Sequence, residues 1–538
     1  MKTYQWLLAG VATAGLAACE GGGVVLNVST VDNSVDNSVT NPGGNTGTNP
    51  CAFYSPPNST DVRRGTFDGT NCSYGSDFVG ATNPLLVDVT IPFISGVHIF
   101  QDSLFVGQNV SSGAAPAGGT GPTLTIAAGN RLAFTDSGDY VLINRGSQIV
   151  ADGSPAAPIV FTAFADAVLG TAGANDVSLW GGMVINGNGI TNNCTDAERN
   201  GNLCHVTAEG QPSNYGGSDN AESSGVLRYV IVKHTGFEVA PGDELNGITL
   251  NAVGSGTVIE NVQVYSTFDD GIEWFGGAVD VTNAVVLYAR DDSLDMSDGY
   301  AGTIENALVI HWQSDGNRCI ELDNIGESRS TGGQPLDRAP ITAATVRNLT
   351  CITSNTDVNT HGDSEGVLVR QGGRLLLEDS IVYSGHGTNR NGVTSNECYE
   401  IDDNAPLDLS RVHAINGATE PMRVTNTIIA CELPAQDSLP NGDTILSWIQ
   451  GTGNSTGTAY AFNAGNRIIT TPVEAGVSVL APNSFYTATS LTGPGGAALG
   501  MTPASGKMGA VLASDDWTAP WAFGLRANNA DVPLWFAP

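Results

Sequence analysis

Positive charge is what this chain has least of. Only 21 Lys and Arg stand against 54 Asp and Glu, a formal net charge of −33 over 538 residues. Such a surface repels polyanions unless a cation intervenes, so no nucleic-acid partner is expected. It suits solubility in an external medium and is compatible with low-affinity Ca²⁺ sites. Apolar runs are short: the most extended, LLAGVATAGLAA near the start, cannot span a bilayer as a stable helix. Neither a His-Glu-x-x-His string nor a phosphate-binding loop occurs, which leaves zinc-protease and nucleotide chemistry without a motif. Long helical periodicity is missing as well. In its place stand 68 Gly and recurring Asn, Thr, Ser and Val, the composition of many short strands joined by turns. With 41% hydrophobic residues, the chain can nevertheless build a long continuous core.

Lys2 precedes the short apolar run, and Leu16-Ala17-Ala18-Cys19 closes it. The order of charge, apolar run, small residues and cysteine resembles a bacterial lipobox, which implies a signal peptide over residues 1–18 and a lipid on Cys19. Glu20, where an Asp would favour inner-membrane retention, points the anchor to the outer membrane, with the cell-surface or periplasmic face open. Residues 19–50, rich in Gly, Asn, Ser and Thr, read as a flexible tether. Eight cysteines remain: Cys51, Cys72, Cys194, Cys204, Cys319, Cys351, Cys398 and Cys431. An even number in an exported chain favours disulfides, here expected between sequence neighbours, each stapling a loop that leaves a coil and returns to it.

The central stretch from Val258 to Asn324 repeats. Asn261, Asn283 and Asn306 precede successive apolar runs at a period near 22 residues, and Asp269-Asp270 recurs as Asp291-Asp292 while Glu273 recurs as Asp295. That period is the length of one solenoid coil, whose inward face is buried only by its neighbours. The fold expected is all-β, a right-handed parallel β-helix with loop insertions over residues 51–445, followed by an irregular extension over 446–538. Trp517, Trp521 and Trp535 in that extension are expected to cap an open coil end.

The segments WGGMVINGNG, YGGSDNAESSGVLRYVIVKHTG, DELNGITLNAVGSGTVIENVQVY, DDGIEWFGGAVDV and DDSLDMSDGYAG resemble a family of exported bacterial β-helix proteins, many of them lipoproteins, in bacteria rich in TonB-dependent receptors. The resemblance is closest over Trp180 to Asn324. It implies a pectate-lyase-type fold at the surface or in the periplasm, and no catalytic residue.

The densest chemistry is acidic: Asp269, Asp270, Glu273, Asp291, Asp292, Asp295 and Asp298. Stacked about 4.8 Å apart in register, such carboxylates need a cation, a basic partner or a proton between them. Ca²⁺ fits an oxygen-only stack; the other reading is that the acids make turn hydrogen bonds. Arg290 and Arg318 are the nearby bases that a Ca²⁺-dependent polysaccharide lyase would require. Gly385-His386-Gly387 lies several coils too far from Asp270 for a polygalacturonase arrangement and reads as a turn. His234 and His311 read as corner histidines. Trp274, Phe275 and Trp312 could stack on sugars or inside the solenoid, a choice that the exposure of Trp274 decides. The function expected is an outer-membrane-anchored surface lipoprotein that binds an extracellular polymer, such as a polysaccharide, or a partner such as a TonB-dependent outer-membrane receptor, without catalysis. The lyase and a purely structural or adhesive element stand as alternatives.

Overall fold

A computed structural model describes residues 49–109, 121–240, 243–326, 334–355, 360–362, 364–384, 397–402, 409–452, 459–470, 473–474, 477–488 and 501–537. The expected signal peptide, Cys19, most of the expected tether and Gly385-His386-Gly387 lie outside the described residues.

Alternating apolar residues give short strands that stack in parallel, coil upon coil, into a β-helix. Eight central strands carry the argument: β1 (Gly225–Thr235), β2 (Ile248–Asn251), β3 (Val258–Thr267), β4 (Ile272–Phe275), β5 (Val281–Ala289), β6 (Leu294–Ser297), β7 (Thr303–Ile310) and β8 (Arg318–Asp323). β1, β3, β5 and β7 pair side by side, and β2, β4, β6 and β8 form the middle of a separate nine-stranded parallel sheet.

The long strands each cover two faces because they bend within their length; β1, β3 and β5 carry a second left-handed residue near their ends, at His234, Ser266 and Tyr288. The bends fall at Tyr229, Asn261, Asn283 and Asn306, all left-handed with φ between 51° and 62°. Asparagine tolerates this conformation better than most residues, which explains the periodic Asn. It also bonds along the stack: Asn283 donates to Asn261 at 3.1 Å and Asn306 to Asn283 at 2.9 Å. Asn348, Asp379 and Asn426 continue the left-handed corner with φ of 54°, 51° and 49°. Three faces result, and the nine-stranded sheet is the third.

The interior is apolar and aromatic. Phe134 stacks on Trp180 at 4.5 Å, and Trp274 packs against Tyr300 at 5.5 Å, all fully enclosed. The glycines after Trp180 follow from the stacking of coils: Gly182 has φ +115°, and a Cβ there would sit 2.0 Å from the Asn246 carbonyl oxygen.

Three expectations are refined. The ladder runs past the expected limit at residue 445, since Arg467–Ile469 pairs in parallel with Ile428–Ala430. The C-terminal aromatic segment covers the second face and lies along the flank, not over a coil end. The reason is that the second face is apolar outward as well as inward: Val285, Leu287, Leu308, Ile310, Ile381 and Ile428 form one cluster with Trp521, Leu534 and Phe536. Gln263 bonds the Phe523 backbone at both ends of its amide, and Trp535 Nε1 donates to the His311 carbonyl at 2.9 Å. The disulfides pair as neighbours in sequence, Cys51–Cys72, Cys194–Cys204, Cys319–Cys351 and Cys398–Cys431. Cys319 and Cys351 do not staple a surface loop, however. They belong to the interior cluster, on strands of the third and second faces, and tie those faces together through the core.

Candidate functional site

Outward residues of the third face form the floor of a groove. In β2, β4, β6 and β8 the inward positions are apolar, so the period of two puts Thr249, Glu273, Asp295 and Glu321 in one outward row, in register from coil to coil. Phe275, Ser297 and Asp323 lie two residues on. The expected stack of Glu273 on Asp295 is present and gains Glu321, which lies in the next coil.

The polar insertion from Thr191 to Gly217 rises beside this floor as a wall. Its short helix Asp196–Asn200 starts with a capping box between Thr195 and Glu198, and Cys194–Cys204 closes its base. Asn193 and Tyr215 both bond Asp298 on the floor side, Tyr215 at 3.2 Å. Wall and floor enclose a cavity of about 670 Å³ lined by Glu198, His205, Glu209, Tyr215, Asp243, Glu273, Phe275, Asp295, Asp298, Glu321, Asp323 and Arg370, among others.

The predicted acids divide into three roles. Asp270 and Asp292 serve the turn before each third-face strand: Asp292 N–H donates to Asp270 Oδ1 at 2.9 Å, and Arg318 N–H to Asp292 Oδ1 at 2.7 Å. This is the turn reading, although the Asp292 carboxyl also lies against Glu321 and has its second oxygen 4.0 Å from Arg318. Glu273 and Asp295 face the groove. Asp269 and Asp291 sit at the rim with His361, whose Nδ1 lies 2.9 Å from Asp291 Oδ2.

Arginines answer part of the charge. Arg318 reaches Glu321 at 2.8 Å and Glu365 at 3.1 Å, and Arg370 bonds Glu321 and, at 3.0 Å, Asp323. Burial opposes ionisation of Glu321, but these two guanidinium groups hold its carboxyl below the usual range. For the remaining acids such help is absent or too weak to offset burial. Burial first, then neighbouring carboxylates, push Asp269, Asp270, Glu273, Asp292 and Asp295 well above their ordinary values. Burial likewise lifts Glu209 to about 7, and Asp323 to about 7 despite Arg370. Glu273 shares hydrogen bonds with Glu209 and Asp295, and Asp292 with Glu321, so each pair needs a proton or a cation.

The donor set fits a hard cation. Ligand oxygens of Asp270, Glu273 and Asp295 lie within 4.8 Å of one another, as do those of Asp270, Asp291 and Asp292. Asp295 Oδ1 is shielded from solvent without a hydrogen-bond partner among the described residues. All these donors are oxygens, the chemistry of Ca²⁺.

Arg290 lies outside the groove, donating to the Asn175 carbonyl at 2.8 Å beside Asp315. His234 is a buried left-handed corner residue bonded to the Asp176 carbonyl, and His311 is enclosed against Ser364 and Cys319. Trp274 is 0% exposed, which assigns it to the interior. Trp312 packs edge-on against Tyr288 among the residues covered by the C-terminal segment. Phe275 alone of the three predicted aromatics lines the groove. Glu209, Tyr215, Asp243, Glu321, Asp323 and Arg370 were not foreseen. Glu321 and Asp323 carried a signal, the alternation of CIELDN; the wall residues and Arg370 carried none, because a long loop separates them from the floor in sequence.

Comparison with curated proteins gives no match, and comparison with solved structures gives none either. Comparison with protein families matches residues 116–464, which hold most of the coils and both sides of the groove, to the pectate-lyase like beta helix domain. The chain therefore belongs to the pectate-lyase like beta helix family.

Proposed function

We propose that this protein binds an extracellular polysaccharide in the acidic groove of its third face, assisted by a divalent cation. The observation that carries the reading is the row Glu273, Asp295 and Glu321, in register beneath a disulfide-closed wall, with Phe275 as a platform for a sugar ring. Ca²⁺ would be held by Asp270, Glu273 and Asp295, with Asp269, Asp291 and Asp292 beside them; when bound it supplies positive charge that a uronate or hydroxyl oxygen can approach. The lipobox adds the setting, an outer-membrane protein anchored through Cys19, where a TonB-dependent receptor is a candidate neighbour.

The groove brings arginine and acids together, as a polysaccharide lyase would. Arg318 and Arg370 are each held between carboxylates, though, and the acids around Arg318 keep its proton on more firmly than usual despite its burial. A guanidinium fixed in this way is a poor base, so the geometry favours binding over elimination. A purely structural element would not require a walled cavity.

The test is calorimetric titration of the mature chain with polygalacturonate, alginate and a neutral glucan, in Ca²⁺ and in chelator, beside Glu273→Gln and Asp295→Asn. Saturable binding to one polymer, weakened by chelator and by both substitutions, is the expected result. Binding to none of them would overturn the reading, and unsaturated products absorbing in the ultraviolet would replace it with the lyase. Radiolabelled palmitate incorporation lost in Cys19→Ser checks the anchor.

A further inference from the structure

One buried cation is not spent on a strand or on the acidic floor. Arg145 follows the third-face strand Tyr140–Ile143 and is 1% exposed. Its guanidinium points into the wall, across 59 to 71 residues of sequence: Nη1 donates to the carbonyls of Cys204 at 2.9 Å and Gly216 at 2.7 Å, and Nη2 lies 2.8 Å from His205 Nδ1. It thereby grips both the disulfide end of the insertion and the point where the chain returns to the helix.

The contact with His205 has a chemical consequence. A guanidinium donates hydrogen bonds and cannot accept them, so Nδ1 must be the accepting nitrogen. Neutral His205 then carries its proton on Nε2, and the identity of the protonated nitrogen follows from the partner. His205 lines the groove, and its Nε2 is shielded from solvent and has no hydrogen-bond partner among the described residues. Most groups facing the cavity are carboxylates that accept, whereas this one is a neutral donor with its partner still to come.

We propose that Arg145 is a positioning residue of the groove, which sets the wall and fixes His205 as an Nε2–H donor to an oxygen of the bound glycan. The inference rests on the carbohydrate-binding reading for its ligand, and on the geometry alone for the clamp. A wall preset in this way binds without first having to order itself. The insertion has other anchors, including the disulfide, the capped helix and the bonds from Gly216 and Gly217 N–H to Gly187 and Gly189 carbonyls. Loss of Arg145 should therefore loosen the wall without unfolding the coils.

Three measurements on the mature chain test this. With ¹⁵N-histidine labelling, the His205 imidazole should show the Nε2–H tautomer in the parent and a mixture in Arg145→Met. Hydrogen exchange over residues 194–216 should accelerate in Arg145→Met and recover in part in Arg145→Lys, with the thermal midpoint of the coils unchanged. Whichever glycan binds the parent should bind His205→Gln, whose amide nitrogen replaces Nε2, within a few-fold, and bind His205→Asn about tenfold more weakly, the worth of one hydrogen bond. An Nδ1–H tautomer in the parent, or Arg145→Met with parental exchange and affinity, overturns the proposal. Should no glycan bind the parent, the carbohydrate reading fails by itself and with it the donor role, while tautomer and exchange still decide the clamp.

Discussion

Glu222 offers the sharpest test of the electrostatics. It lies in the SDNAESSG segment, 4% exposed, where it accepts from Gly254 N–H and approaches the Ser224 hydroxyl. Burial pushes its carboxyl up to about 7 from 4.5. The unfolded chain ionises at the ordinary value, so below about pH 4.5 both states are protonated and nothing is lost. Between about 4.5 and 7 the unfolded chain releases a proton that the folded chain retains, and stability falls as pH rises; above 7 the penalty is constant. The gap corresponds to ~3 kcal/mol at most. Glu222→Gln removes the titration and keeps one acceptor for Gly254 while giving up the second, a cost of ~1 kcal/mol at every pH. The variant should therefore melt below the parent near pH 4.5 and above it near pH 8, with ~2 kcal/mol in its favour. Thermal melts followed by circular dichroism at matched ionic strength read the difference. A difference between variant and parent that does not change with pH would refute the reasoning.

Three further outcomes follow from the geometry. Asn283→Gly should lose two side-chain bonds, ~2 kcal/mol, and Asn283→Ala should add the left-handed cost of ~1 kcal/mol, so urea denaturation should rank parent, Gly, Ala; Ala above Gly contradicts the corner account. Trp274→Ala should destabilise by ~3–5 kcal/mol while glycan affinity of the folded fraction stays at the parental value, because the ring faces the core. Ending the chain at residue 500 should uncover the apolar second face and give oligomers by light scattering; a monodisperse monomer would show that the face needs no cover.

The solenoid was legible because its constraints repeat. A left-handed corner every coil selects Asn, and a strand buried on its inner side selects alternation; Asn261, Asn283 and Asn306 recorded both. The double-sided burial of the second face was also written in the sequence, in AVVLYA and ALVI, where apolar residues are continuous rather than alternating, as in strands covered on both sides. That signal should have sent the tryptophan segment to the flank. The groove was half legible. Glu273 and Asp295 follow the coil period, whereas the wall, Arg370 and the clamp from Arg145 depend on chain excursions whose return points no local pattern encodes.

The C-terminal segment changes what kind of object the solenoid is. A stack of coils touches only its neighbours, so each coil can in principle loosen by itself. Here Gln263 bonds a residue 260 positions later, and Tyr265 bonds Asp531, 266 positions later, at 3.1 Å. A segment far downstream in sequence is thus the part that ties the middle coils to a common event. The middle of the helix gains its outer cover only when residues 501–537 have folded back along it, and an array of near-independent rungs then acts as one cooperative body.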